Sequence, residues 1–181
     1  MKRETDNLTV SENEIHGDSM LGDFFYEELK DLYSSEFCVT ETLRRMKMAA
    51  SSGELVAAFE AYYEQTVEHT SKLEQVFELL EYEPKKGKCE AMEGLRNEAE
   101  RMVSETEDGT ATRDTALIAA TQKIVHYEIA AYGCLQQVAI SQGYDNAALI
   151  LQKVLQEKKE TDKIFTFVTE AHINYEPVVE E

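Results

Sequence analysis

Two carboxylates, Glu36 and Glu128, stand where a water-soluble helix carries core residues. Leu29, Leu32, Glu36, Leu43 and Met46 recur at the three- and four-residue spacing of one helical stripe, and Ile118, Val125, Glu128, Tyr132 and Leu135 repeat that pattern later in the chain. An acid on such a stripe loses its water on folding and needs a partner, because an unpaired buried polar group costs about 2 kcal/mol or more. The two acids lie 92 positions apart, and the same offset carries Phe37 onto Ile129, Leu43 onto Leu135, Leu73 onto Phe165 and Val76 onto Val168. The chain therefore reads as two similar helix pairs, each bringing an acid inward.

Carboxylates and an imidazole converging from several helices are the donor set of a carboxylate-bridged metal site, which suits iron or manganese. His69 falls on the stripe Leu55, Ala58, Phe59, Tyr62, His69, Leu73, Val76, Leu80. On the last helix a seam of Ile150, Val154, Glu157, Thr161, Ile164 and Val168 points Glu157 inward, with Glu160 beside it. A complete two-metal site asks for Glu-x-x-His on two helices, but Thr66 stands three residues before His69, and Gln65 is the repeat equivalent of Glu157. The candidate metal ligands are thus Glu36, His69, Glu128, Glu157 and Glu160, with Gln65 as a neutral sixth. A single metal, a weak second metal and a vestigial site all stand open.

The alternative is purely structural. Buried acids are also kept protonated or hydrogen-bonded to tyrosine hydroxyls, and Tyr26, Tyr33, Tyr62, Tyr63, Tyr127 and Tyr132 lie near enough in sequence to serve. His126, two residues before Glu128, faces elsewhere on its helix and is assigned a supporting or interface role. His16 and His172 lie away from the level of the acids.

The elements that must position these groups follow from the breakers. With two prolines, eight glycines, no tryptophan and 43% hydrophobic residues in 181, the chain predicts a single all-helical domain. A polar tail over 1–17 precedes a first helix that opens near Asp18 or Ser19 and stops at Ser51-Ser52-Gly53. A second helix runs from about Glu54 to Tyr82, ended by Pro84 and a basic run. A crossover with a short helix from about Glu90 to Val103 leads to a third long helix over about Asp114 to Gln142. A turn at 141–145 opens a fourth, from about Asn146 to His172, before an acidic tail over 174–181. Two short hairpins and one long link are the connections of a ferritin-like four-helix bundle.

Composition excludes other classes. A formal charge of −18 repels a phosphate backbone and argues against DNA or RNA. There is neither an apolar run of membrane-spanning length nor the apolar segment of a secretory signal near the N-terminus, so a cytoplasmic protein without a membrane partner is expected. Cys38, Cys89 and Cys134 form no C-x-x-C pair and read as free thiols. No nucleophile beside a base and no phosphate-cradling glycine loop is found.

The stretches FYEELKDLYSSE, LEQVFELLEYEPKKGKCEAMEGL, DTALIAATQKIVHYEIAAYG and EKKETDKIF resemble, in order and spacing, the YciE/YciF family of ferritin-like bacterial stress proteins over about residues 20–172. The resemblance implies a bacterial cytosolic bundle with a short fifth helix, a homodimer, and kinship with rubrerythrins and other di-iron proteins. It places inward acids at Glu36 in LYSSE, Glu128 in HYE and Glu157 in EKKETD, with His69 in EHTSKLEQVF. The family often has glutamate at the position of Gln65 and commonly a small residue at that of Glu160.

The expectation is an iron site, single or paired, acting on peroxide or oxygen. It would need an external reductant, because no cysteine-ligated electron-transfer domain is present. The alternative is a non-enzymatic dimeric bundle with a vestigial metal site. Nothing in the sequence speaks for an iron-storage shell.

Overall fold

A computed structural model describes residues 19–175. Within them, α1 (Ser19–Ala49), α2 (Gly53–Leu79), α3 (Glu90–Glu105), α4 (Ala111–Ser141) and α5 (Asp145–Tyr175) account for all the regular structure. The helices fall within a few residues of the sequence-based expectation. The two tails and His16 lie outside the described residues.

The four long helices form a ring in which α1 packs on α2, α2 on α5, α5 on α4 and α4 on α1; α3 lies outside, against α1 and α4. Helices α1 and α4 run antiparallel, since Thr121 lies against Met46 at one end and Tyr132 reaches Glu36 further along. The crossover thus lets α2 and α4 run parallel, as in ferritin-like bundles.

The bundle interior is built from the stripes seen in the sequence. Leu29, Leu32, Leu43 and Met46 of α1, Leu55, Phe59, Leu73 and Val76 of α2, and Ile118, Val125 and Leu135 of α4 are all buried. Two apolar clusters result, one toward each end of the bundle. The acids occupy the level between them.

Three devices fix the connections. At the first hairpin the Asp114 carboxylate accepts hydrogen bonds from Ser51 N (2.8 Å), Ser51 Oγ (2.8 Å) and Ser52 N (2.9 Å), clamping the α1–α2 turn to the start of α4. At the second, Gly143 takes a left-handed φ of 74°, which ends α4 with Tyr144 N donating to Ala139 O at 2.9 Å. In the crossover, Gly87 N donates to Lys30 O at 3.1 Å, and a Cβ on Gly87 would collide with Asp31. That Cβ would also sit 3.1 Å from the α1 backbone at Lys30 and Asp31, so glycine suits this close approach.

Candidate functional site

The site is a buried ion cluster with a lysine at its centre. Glu36 on α1 and Glu128 on α4 are fully buried, as expected, and so is Lys158 on α5, which the sequence reading did not place there. The Lys158 ammonium donates to Glu128 Oε1 at 2.6 Å and to Glu36 Oε2 at 3.1 Å. Tyr132 Oη donates to Glu36 Oε1 at 2.5 Å, and Tyr62 Oη donates to Glu128 Oε2. All four carboxylate oxygens therefore have a donor, supplied by groups from α2, α4 and α5.

The electrostatics follow from burial. Loss of water pushes the Glu36 carboxyl up to about 7, with Lys158 pulling down and the Glu128 charge pushing up. Burial works to discharge the Lys158 amine, but the carboxylates of Glu128 and Glu36 outweigh it, and its pKa lies above the ordinary lysine value. Burial first, and the neighbouring acids second, hold the hydroxyls of Tyr62 and Tyr132 protonated far above the usual range, which keeps both as donors. The Lys158 ammonium also lies 5.1 Å from the centroid of the Tyr62 ring.

His69 is fully buried on α2, as expected. Its Nε2 lies 2.8 Å from Glu157 Oε2, and because that carboxylate only accepts, Nε2 carries the proton. Nδ1 is then a bare acceptor with no hydrogen-bond partner, 3.9 Å from Glu36 Oε1. Burial and the nearby Lys158 and Lys72 charges depress its pKa to about 2, so the imidazole is neutral and its approach to Glu36 is no ion pair.

The other predicted ligands are not gathered at this centre. Glu157 is only part-buried and is held by His69 and by Lys72 Nζ at 2.5 Å. Gln65 accepts from Thr161 Oγ1 at 2.8 Å, at the edge of the cluster. Glu160, expected beside Glu157, lies on the outer face of α5 with Gln156 and Lys163. His126 is exposed and pairs with Asp162 Oδ1 at 2.9 Å.

The inward seam of α5 shares Val154, Thr161 and Val168 with the one read in the sequence but is rotated from it by about 50°, half a residue step. It runs Leu151, Val154, Lys158, Thr161, Phe165, Val168, all buried, whereas Ile164 is 44% exposed. Phe165 stacks against Phe59 and Tyr62, with ring centroids 5.4 and 6.0 Å apart, and this packing sets the rotation. The internal repeat held the signal: the offset of 92 maps buried Thr66 onto Lys158 as it maps Leu73 onto Phe165.

A pair of iron ions does not fit this donor set. A metal would have to displace the Lys158 ammonium and two tyrosine hydroxyls from the carboxylates, and a dication beside an undisplaced ammonium is repelled. Of the expected ligands, His69 Nδ1 is the buried atom left without a hydrogen-bond partner. Among the described residues no three His, Cys, Asp or Glu side chains are grouped to hold a metal. No described helix is long and apolar enough to cross a membrane.

The comparisons with known proteins agree with the architecture. The family described as a domain of unknown function, DUF892, matches residues 20–176. Protein YciF of Escherichia coli K12 is 40% identical over 153 residues, which cover 84% of this chain and 92% of YciF. The crystal structure of the E. coli stress protein YciF superposes with a TM-score of 0.82 at 39% identity, over 86% of this chain and 98% of that one. YcfI of Rhodopseudomonas palustris gives a TM-score of 0.78 at 32% identity, covering 81% and 92%. The resemblance read from the sequence thus holds at the level of both sequence and fold. The chain belongs to the DUF892 family.

Proposed function

We propose that this chain is a non-catalytic, dimeric helical-bundle protein of the stress response, in which Lys158 supplies within the fold the positive charge that a metal supplies in carboxylate-bridged bundles. Stress response comes from the name given to its E. coli relative. The lack of chemistry at the acids rests on one observation, the ammonium seated between Glu36 and Glu128. A lysine there satisfies both carboxylates permanently and leaves neither an open coordination position nor a redox-active centre. The dimer, a cytoplasmic location and the absence of nucleic-acid and membrane partners remain part of this reading.

Anaerobic titration with ferrous iron, followed by metal analysis of the desalted protein, tests it. The wild type is expected to retain no iron. Uptake of about one or two ions per chain, lost when Glu36 and Glu128 are both changed to Gln, overturns it. Light scattering tests the dimer separately.

The second reading is an iron site built on Glu36, Glu128 and His69 that acts on peroxide or oxygen with an external reductant. The buried, unpartnered Nδ1 of His69 is the observation in its favour. It requires Lys158 to swing out of the core, and the same titration decides between the two readings.

A further inference from the structure

Lys158, Glu128 and Glu36 meet in a part of the core that water does not reach. Each of the three is 0% exposed, as is Tyr132, and Tyr62 is 1% exposed. The Lys158 nitrogen lies 2.6 Å from Glu128 Oε1 and 3.1 Å from Glu36 Oε2, in hydrogen-bond contact with both acids. The ring centroids of Tyr62 and Tyr132 stand 5.1 and 6.0 Å from it, and Phe165 packs against Tyr62. An amine, a carboxyl group in contact with it, and a second carboxyl placed to carry protons between them are the parts needed to form an amide.

Burial supplies the driving force. In bulk water an ammonium and a carboxylate are well hydrated and do not condense. In the interior both have lost that hydration, and their mutual attraction only partly makes up for it. Condensation replaces the ion pair by a neutral amide and releases one water. Proximity supplies the rate, because the fold holds the reacting groups at an effective concentration that free solution cannot reach.

We propose that Lys158 and Glu128 condense after folding to an isopeptide bond that ties α5 covalently to α4. The proposal rests on the reading that Lys158, and not a metal, sits between the acids, and it adds one self-modification without turnover. The neighbouring acids keep the Lys158 amine charged in the folded chain, so the first step moves one ammonium proton to Glu128 Oε1, leaving an amine beside a carboxylic acid. The nitrogen lone pair attacks Glu128 Cδ and the C–N bond forms. The carbonyl electron pair moves to Oε2, where the Tyr62 hydroxyl donates to the developing oxyanion. Glu36 Oε2 takes a second proton from the nitrogen and delivers it to Oε1. The C–Oε1 bond breaks, Oε1 leaves as water, the carbonyl reforms at Oε2, and Glu36 returns to its starting state. Nothing is oxidised or reduced, and no co-reactant is needed. Because the amine is free only while its proton rests on Glu128, the freshly folded chain holds the ion pair and the bond accumulates slowly.

The test compares the intact mass of the full-length protein, unfolded in denaturant, when freshly purified and after days of folded incubation at neutral pH. The expected result is a species lighter by one water, with fragmentation placing an amide between Lys158 and Glu128. Its unfolding midpoint is expected to be about 5 to 10 °C higher, because the bond closes the loop between residues 30 positions apart. Glu36→Gln keeps the shape of the side chain but cannot shuttle a proton, and is expected to slow the loss of water by at least about 100-fold. The wild-type mass decides the bond itself, whatever the stability of that variant. A mass unchanged on incubation overturns the proposal; if the ferrous titration also leaves no iron on the protein, the lysine–acid reading stands without the bond. Loss of water at the Asp108-Gly109 peptide instead, a bond from Lys158 to Glu36, or condensation in folded Glu36→Gln at the wild-type rate also overturns it.

Discussion

His69 turns the bare Nδ1 of its imidazole toward Glu36 Oε1, 3.9 Å away, while its Nε2 donates to Glu157. The two residues titrate in opposite senses on folding. Glu36 rises from 4.5 to about 7, so its contribution to stability is full below 4.5 and is lost as pH rises toward 7. His69 falls from 6.5 to about 2, so its contribution is full above 6.5 and is lost as pH falls toward 2.

Between pH 4.5 and 6.5 these contributions cancel, each with a slope of about 1 kcal/mol per pH unit. Relative to wild type, His69→Gln is therefore expected to gain stability as pH falls through this window, and Glu36→Gln to lose it. Urea denaturation of the three proteins across the window checks this. Parallel stability curves for all three would remove the pairing.

Lys158 is the partner of both buried acids. Lys158→Met leaves the two carboxylates uncompensated and is expected to cost about 3 to 5 kcal/mol, whereas adding Glu36→Gln and Glu128→Gln to it should restore much of the loss. Chemical denaturation of the single and triple variants measures the difference. A near-neutral single variant would show that the ammonium is not needed in the core.

Asp114, itself buried, holds the α1–α2 turn through three hydrogen bonds, two from exposed Ser51 and one from half-buried Ser52. Asp114→Ala is expected to lower stability by about 3 kcal/mol, and Asp114→Asn by less, because the amide still accepts through one oxygen. Hydrogen exchange at Ser51 and Ser52 gives a local readout, and unchanged protection in the alanine variant would contradict the clamp.

Glu81 is the one described non-glycine residue with a positive φ, 57°, where α2 ends. Glu81→Gly relieves a left-handed conformation that costs an L-residue about 1 kcal/mol, offset in part by the freedom glycine adds to the unfolded chain. The thermal midpoint is expected to rise by about 1 to 3 °C, and a fall would show that the Glu81 side chain makes a compensating contact.

The helices, the crossover and the inward placement of Glu36, Glu128, His69, Tyr62 and Tyr132 were legible because each polar residue sits inside an unbroken apolar stripe, and helical periodicity alone assigns its face. The partner of the acids was not. On α5 two seams half a residue step apart share Val154, Thr161 and Val168, and one of them carries Glu157 while the other carries Lys158. Lysine is so seldom buried that composition favours the first.

Periodicity specifies a helical face only to within such a half step, about 50° of rotation. The packing of Leu151 and Phe165 into the interior resolves that step, and it brings an ammonium instead of a carboxylate to the level of the two acids. The chain by itself determined that opposed acids enter the core. Which cation answers them was decided only when four helices closed around one another, because neutralising a buried charge depends on where side chains from different helices meet.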